Sequence, residues 1–217
     1  MNKSELSQIE RIFYPGWLMA SQIRGGQEVR DGEGLYRWAC RLVQEAKAAL
    51  TEAGYSDLSR DHMVYTLCAL LDESVMNRGT TDAGYLTWRR DPLQAHFFGT
   101  LNAGEELWER IRNLLKETAP DTAVLTCMYR ALQLGFVGQY RAQDDERRED
   151  IVRALAERVP AFTLAQDAPI VARASRLRRG RRWYWLSWVV AAVALAALWF
   201  FLSSSLTELV SQIVRPG

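Results

Sequence analysis

Residues 183–202 read WYWLSWVVAAVALAALWFFL, an uncharged run of 20 residues that predicts a membrane-spanning helix. A helix rises about 1.5 Å per residue, so this run covers roughly 30 Å, the thickness of the hydrocarbon core of a bilayer. Tryptophans lie near both ends of the run, as they do at the two interfaces of a membrane. The alternative, a C-terminal core helix, explains neither these tryptophans nor the arginines that precede them.

The two flanks of this predicted span differ in charge, and this difference predicts the orientation of the span across the membrane. Residues 173–182 contain six arginines, whereas residues 203–217 contain one acidic and one basic residue. Under the positive-inside rule, everything before residue 183 is cytoplasmic and the short tail lies across the membrane. The basic collar is also suited to contact the anionic inner leaflet. The collar residues nearest the span in sequence are Arg178, Arg179, Arg181 and Arg182.

Small residues within the span form a candidate packing face. Ala192 and Ala196 are four residues apart, so both lie on one side of a helix. Small residues at this spacing let two membrane helices approach closely, which predicts a homodimer or pairing with a partner's span. The alternative, that alanine merely fills an apolar helix, stays open.

Residues 1–172, the predicted cytoplasmic body, are acidic. They contain 20 Lys and Arg against 25 Asp and Glu, a formal charge of −5, although the whole chain is at +1. This balance argues against nucleic acid as the main partner. The length suits one sizeable domain or two small helical subdomains that share a core. The start of the chain has no uninterrupted apolar core, so we expect no signal peptide.

Three cysteines, Cys40, Cys68 and Cys127, are widely spaced in apolar surroundings. They form no C-x-x-C motif, and their number is odd. We therefore expect reduced thiols in the core of a protein that faces the cytosol.

Apolar residues at helical spacing predict an all-α body. The clearest pattern runs from Leu35 to Leu50 and ends at Gly54. A first helix over residues 4–13, capped by Ser4, is expected to be interrupted or to restart at Pro15. The other predicted elements are helices over 59–76 and 92–100, a helix opened by a capping box of Asn102 and Glu105, a helix from 120 toward Gly135, a solvated helix over 143–158, and a polar loop over 77–84.

The residues offer no catalytic, cofactor or metal site. His62 and His96 lack a carboxylate or cysteine at ligand spacing. Asp72 and Glu73 are adjacent, and neighbours on a helix point about 100° apart, so they do not converge on one substrate atom. An acid near a helix C-terminus is disfavoured by the helix dipole unless a partner compensates, inside or outside the chain. The alternative is a solvated helix end, with Asp72 bonded to nearby backbone or an arginine.

Three stretches together resemble one family. YTLCALLDESVMN (65–77), FFGTLNAGEELWERI (97–111) and LQLGFVGQYR (132–141) are similar, in order and spacing, to the motifs of the TssL/DotU family, also called IcmH/DotU. The C-terminal anchor matches as well. Gln139 stands where the family usually has arginine, so an ion pair at that position is in doubt. The positions that carry the motifs are Tyr65, Cys68, Gly135, Phe136, Gly138 and Tyr140.

The resemblance implies a small inner-membrane subunit of a bacterial type VI secretion system. It implies a cytoplasmic, hook-like domain of two three-helix bundles followed by one transmembrane helix. The partners would be TssM-like and TssJ-like membrane subunits and a TssK-like baseplate protein. Many relatives carry a peptidoglycan-binding domain after the anchor. Residues 203–217 are too few for one, so we expect a separate subunit to bind the cell wall.

The predicted function is that of a structural, non-enzymatic subunit that anchors the baseplate and tail to the bacterial inner membrane. Its C-terminus would be periplasmic. Because loops on a rigid scaffold tend to carry recognition, the candidate docking surface is Asp72, Glu73, Asn77 and the loop that follows. The alternative is a tail-anchored regulatory or signalling adaptor that sequesters a soluble cytoplasmic factor.

Overall fold

The computed structural model describes residues 3–140 and 145–160. All regular secondary structure in these residues is α-helical. They belong to one compact unit. This confirms the all-α prediction. The helices are α1 (Lys3–Arg24), α2 (Gly32–Glu52), α3 (Asp57–Met76), α4 (Ala83–Arg90), α5 (Leu93–Phe98), α6 (Ala103–Lys116), α7 (Thr122–Gln133) and α8 (Glu146–Ala156).

Helix α3 is the central element of the body. Every residue from Met63 to Val75 is buried, because α1, α2, α4, α5, α6 and α7 all pack against it. A helix with no solvent-facing side needs no amphipathic pattern, and its apolar residues surround the axis. The prediction that only one face of α3 is buried was therefore wrong, because all of its faces are buried from Met63 to Val75.

Helix α2 confirms the clearest sequence pattern. Its apolar stripe, including Ala39, Val43 and Leu50, is buried against the core. The Asp31 side chain accepts a hydrogen bond from the backbone N–H of Gly34 at 2.8 Å, which satisfies one of the free N–H groups at the helix start. The helix ends one residue before Ala53, close to the predicted stop at Gly54.

Helix α1 runs through Pro15, so the predicted interruption was wrong. A proline inside a helix removes one hydrogen bond, but tertiary packing offsets this cost here. Phe13 before the proline and Met19 after it are both buried in the same core. Gly16 faces α3 closely, since a Cβ at this position would lie 2.6 Å from Cδ1 of Leu67.

One helix, α4, and one buried arginine on α8 differ from the sequence prediction. Helix α4 begins inside the segment read as a loop, and its eight residues are too few to show a clear period. The Asp82 side chain caps it by accepting the N–H of Tyr85 at 3.1 Å. Helix α8 confirms the predicted helix after residue 143, with Leu155 buried against the body, but it also buries Arg148.

The cysteines are free thiols, as predicted. Cys68 and Cys127 are fully buried, and burial raises the pKa of both thiols well above the ordinary value. Cys40 is only partly buried. Two of the three are therefore unreactive core residues at neutral pH.

The predicted span 183–202, the collar arginines and the pair Ala192 and Ala196 lie outside the described residues. Within residues 3–140 and 145–160, no helix combines the length and the apolarity that a membrane span needs.

We expect Gly16→Val to destabilise the body by about 1 to 3 kcal/mol, because its methyl groups would collide with buried Leu67. The measurement is pulse proteolysis of the chain across a urea series. Ser21→Val, at an exposed position of the same helix, is the matched control and should change stability by less than about 0.5 kcal/mol. Equal effects of the two variants would contradict a close α1–α3 contact.

Candidate docking site

Asp72 and Glu73 lie side by side near the end of α3 and are both buried, with exposed fractions of 3% and 9%. The alternative of a solvated helix end was therefore wrong. Their side chains diverge, as neighbours on a helix must. Asp72 reaches the junction of α4 and α5, and Glu73 reaches the turn after α7. The partners that compensate these acids lie inside the chain.

Asp72 accepts three hydrogen bonds. Its Oδ1 accepts the indole N–H of Trp88 at 3.0 Å and the backbone N–H of Leu93 at 2.9 Å, and its Oδ2 accepts the N–H of Gln94 at 2.9 Å. Leu93 and Gln94 open α5, and Pro92 before them has no side chain to cap the helix. Asp72 therefore acts as the N-terminal cap of α5 from another helix.

The pKa of Asp72 is raised from 3.8 to about 7, mainly because burial disfavours the charged carboxylate. The three N–H donors act in the opposite direction, and Asp91 nearby raises the pKa further. None of the ion pairs among the described residues includes Asp72. In the part of the chain that the structure describes, its negative charge is offset by N–H dipoles alone.

Glu73, in contrast, forms an ion pair with Arg24. Its Oε1 accepts a hydrogen bond from Nη2 of Arg24 at 2.7 Å and from the backbone N–H of Val137 at 2.9 Å, and its Oε2 accepts the N–H of Gly138 at 2.6 Å. Arg24 also donates from Nε to Oγ of Ser74 at 3.1 Å. Glu73 thus joins the end of α1 and the turn after α7 to α3.

The turn after α7 is shaped by glycine. Gly138 has a φ of 61°, and a Cβ there would lie 2.4 Å from the carbonyl oxygen of Gly104. The indole N–H of Trp108 donates to the carbonyl of Val137 at 2.9 Å. Gly135 also has a positive φ. The glycines of this motif are therefore required by backbone geometry and by close contact with α6.

The start of α6 is held by side chains from elsewhere. The N–H of Ala103 donates to Oε1 of Gln94 at 2.7 Å. Asn102 occupies the predicted N-cap position, but its side chain makes no cap hydrogen bond, so the capping-box prediction had the right place and the wrong partner. The N–H of Gln139 donates to the carbonyl of Gly104 at 2.8 Å.

These contacts form one connected set, which we call the acid-pair network. Asp72 caps α5, Gln94 of α5 caps α6, and α6 contacts the turn that Glu73 holds from the other side. The three motif stretches, far apart in sequence, meet in this network. Buried carboxylates that accept several hydrogen bonds hold their donors in fixed positions.

The other motif residues pack around the network. Tyr65 is buried beneath the Arg110 guanidinium, 4.0 Å from its ring centre, and lies edge-on to Phe98 at 4.9 Å. Burial raises the pKa of Tyr65 to about 12. Phe136 is buried beside α6, and the ring of Tyr140 lies 4.7 Å from that of Trp108. These aromatic residues have a packing role.

Of the three candidate docking residues, only Asn77 is exposed. Its backbone N–H closes α3 by donating to the carbonyl of Glu73 at 2.9 Å. Asp72 and Glu73 cannot offer their charges to a partner while they are buried, so their expected contribution to docking needs correction. They hold the junction of α4 and α5 and the turn after α7 against α3.

Arg148 was missed as a site residue, because its helix was read as solvated. It is buried and donates from Nη2 to the carbonyls of Leu132 at 3.1 Å and Phe136 at 3.3 Å, at the end of α7. The signal was present in the sequence. Arg148 precedes Val152 and Leu155 at helical spacing, so it falls on the apolar stripe.

The histidines lie outside the network. His96 is exposed, with Nδ1 at 3.1 Å from Oδ2 of Asp91. Burial and the nearby Arg110 lower the pKa of His62. Among the residues that the structure describes, no three His, Cys, Asp or Glu side chains are grouped closely enough to hold a metal ion.

We expect Glu73→Ala to destabilise the body by about 3 to 5 kcal/mol, because it leaves Arg24 and two backbone N–H groups without their acceptor. Pulse proteolysis in urea measures the change. Glu28→Ala removes an exposed glutamate that pairs with Arg30 and should cost less than about 1 kcal/mol. A Glu73 variant as stable as the Glu28 variant would contradict this account of the network.

Comparisons with known proteins agree with the motifs. The family described as type VI secretion system protein DotU matches residues 8–205. The chain is 68% identical to SciP/TssL of the type VI secretion system of enteroaggregative Escherichia coli 042. That match covers 77% of this chain and 97% of that one, with a TM-score of 0.65. No curated protein sequence matches the chain.

Two more distant solved structures share the fold. The cytoplasmic domain of TssL from Acinetobacter baumannii is 23% identical, covering 69% of this chain and 95% of that one with a TM-score of 0.62. DotU from Francisella novicida is 18% identical, covering 73% and 100% with a TM-score of 0.59. The matched family, the close relative and the three motif stretches lead to one conclusion: this chain belongs to the DotU family of type VI secretion system proteins.

Proposed function

We propose that this chain is a structural, non-enzymatic subunit of the type VI secretion membrane complex, and that it anchors the baseplate and tail to the bacterial inner membrane. The observation that carries the proposal, beyond family membership, is the acid-pair network. Its carboxylates bind backbone N–H groups of two separate segments, the start of α5 and the turn after α7, and side chains of α1 and α4. These carboxylates make the body more rigid, because their hydrogen bonds hold separate segments in fixed positions.

A stiff body suits the mechanical task. A contractile injection machine pushes against the envelope, so its baseplate has to be fixed to the membrane. A rigid helical domain on a single span transmits that load with little deformation, since packed cores have low compressibility. The span then supplies membrane retention and the cytoplasmic faces supply binding.

We place the docking surface at Asn77 and the exposed loop residues that follow it. Thr80 and Thr81 are exposed there, between the ends of α3 and α4. Asp72 holds Trp88 of α4, the helix that follows this loop, against α3. An exposed loop on a fixed frame offers a partner a shape that needs little reordering.

The membrane arrangement belongs to the same proposal. Residues 1–172 form the cytoplasmic body, 173–182 the basic collar, 183–202 the span and 203–217 a periplasmic tail. Membership of the DotU family supports the location of the chain at the inner membrane. We also propose that the body is hook-like and divides into two three-helix bundles.

The proposed partners are those of the membrane complex and the baseplate. TssM-like and TssJ-like subunits would join the chain at the membrane, and a TssK-like protein would bind the cytoplasmic body. Attachment to peptidoglycan would fall to a separate subunit. Membership of the DotU family supports this set.

Affinity purification from mild detergent tests the function. Full-length chain should recover a large membrane protein together with baseplate proteins, identified by mass spectrometry. Residues 1–172, which lack collar and span, should recover baseplate proteins alone. A single soluble regulator recovered with both would contradict the scaffold proposal and favour the signalling adaptor.

A pair of variants in the same experiment locates the docking surface. Asn77→Arg adds a bulky charge to the proposed surface and should reduce baseplate recovery by about tenfold, the effect of losing roughly 1.4 kcal/mol of binding free energy. Thr118→Arg adds the same charge to another exposed loop and should leave recovery unchanged. Equal recovery with both variants would place docking elsewhere.

For the span, we expect replacement of Ala192 and Ala196 by leucine to weaken self-association in a membrane two-hybrid assay, because larger side chains keep two helices apart. Replacement of Val189 and Val193 by leucine keeps the span apolar and changes residues that are not small, so it serves as the control. Unchanged dimer signal in the alanine variant would reject the packing face.

A further inference from the structure

The loop proposed for docking is bonded to a second loop of the body. Residues 77–82 separate α3 from α4, and residues 25–31 separate α1 from α2. We call these segments the α3–α4 loop and the α1–α2 loop. All residues of the two loops are exposed except Val29, which is buried, and Arg78 and Asp82, which are partly buried. The three residues that are not exposed are the ones that connect the loops.

Arg78 binds both loops at once. Its Nη1 donates a hydrogen bond to the carbonyl of Gln27 at 3.1 Å, and its Nε donates to the carbonyl of Val75 near the end of α3 at 3.2 Å. Its Nη2 forms an ion pair with Asp82 at the other end of the α3–α4 loop. The Arg78 and Asp82 side chains are only 9% and 11% exposed, so this pair is largely shielded from water and salt.

Asp82 supplies the second connection between the loops. Its Oδ2 accepts a hydrogen bond from the backbone N–H of Val29 at 3.0 Å. A Cβ at Gly84 would lie 3.0 Å from Cγ1 of Val29, and a side chain at Gly32 would collide with the carbonyl of Ala83. The end of the α1–α2 loop therefore fits closely against the start of α4.

A protein interface requires more surface than one short loop offers. A stable interface uses about 800 Å² and about 20 to 30 residues on each partner. Residues 77–82 of the α3–α4 loop are too few to supply it. A partner docked at Asn77 therefore contacts neighbouring surface as well. The α1–α2 loop is a neighbour that the structure bonds directly to the α3–α4 loop.

The combined surface of the two loops is polar. None of the large hydrophobic side chains that are exposed in residues 3–140 and 145–160 belongs to either loop. Its charged side chains have local partners, since Glu28 pairs with Arg30 at 3.2 Å and Asp31 caps α2. Such a surface suits a protein that brings its own hydrogen-bonding groups and bridging waters. It offers no apolar area for an amphipathic helix to cover.

We propose that the α1–α2 loop and the α3–α4 loop form one docking surface for a polar face of the baseplate protein, and that Arg78 is the positioning residue for both loops. This inference rests on the proposed function and extends its docking surface to residues 25–31. Because hydrogen bonds already hold both loops, a partner has little to reorder when it binds.

Affinity purification of the full-length chain from mild detergent tests the combined surface. Gln27→Arg adds a bulky charge to the α1–α2 loop and should reduce recovery of baseplate proteins about tenfold, as Asn77→Arg should in the α3–α4 loop. Thr118→Arg, in the loop between α6 and α7, is the control and should leave recovery unchanged.

The outcomes separate this inference from the proposed function. A loss of recovery with Asn77→Arg but not with Gln27→Arg would overturn the combined surface and leave the scaffold function intact. If neither substitution reduces recovery, docking lies elsewhere and the combined surface is wrong. If the unaltered chain recovers no baseplate protein, the proposed function and this inference are both wrong.

Hydrogen–deuterium exchange in the same detergent tests the role of Arg78. Arg78→Ala should speed exchange of residues 25–31 about fivefold, because the loop loses a hydrogen bond and Asp82 loses its cation. Arg153→Ala removes an exposed pair with Asp150 and should leave these residues unchanged. Unchanged exchange in the Arg78 variant would show that Arg78 does not position the α1–α2 loop. Gln27→Arg alters only an exposed side chain, so it tests the surface even where Arg78→Ala does not fold.

Discussion

The burial of two adjacent carboxylates at the end of α3 is the constraint on which the rest of the body depends. A buried charge is costly unless hydrogen bonds or an opposite charge compensate it. Asp72 and Glu73 diverge, so their partners have to arrive from opposite sides. The end of α1, the α4–α5 junction and the turn after α7 are therefore obliged to meet at one place on α3.

This requirement explains why three short motifs are spaced along the whole body. The acids lie in the first motif, the α6 contacts in the second and the glycine turn in the third. Gly138 has to lack a side chain because α6 passes 2.4 Å from where its Cβ would be. Trp108 fills the adjacent space and bonds the same turn. The motifs describe the assembly of a polar junction within the body.

Long elements could be predicted from the sequence, because periodicity reports the core-facing side of a helix. Helix α2 is the best example. Pro15 was misjudged because packing on both sides of it outweighs one lost hydrogen bond, and α4 because eight residues show no clear period. The burial of Asp72 could not be predicted from the sequence for another reason. A helix enclosed by six others has no polar face, so an acid on it resembles an acid at an exposed end.

The two acids also differ in the groups that compensate their charge. Glu73 binds the Arg24 guanidinium as well as two backbone N–H groups, so it joins α1 and the turn after α7 to α3. Asp72 accepts hydrogen bonds from uncharged donors on α4 and at the start of α5. Under the proposed function, the side held by Glu73 carries the load, and the side held by Asp72 sets the shape that a docked partner meets.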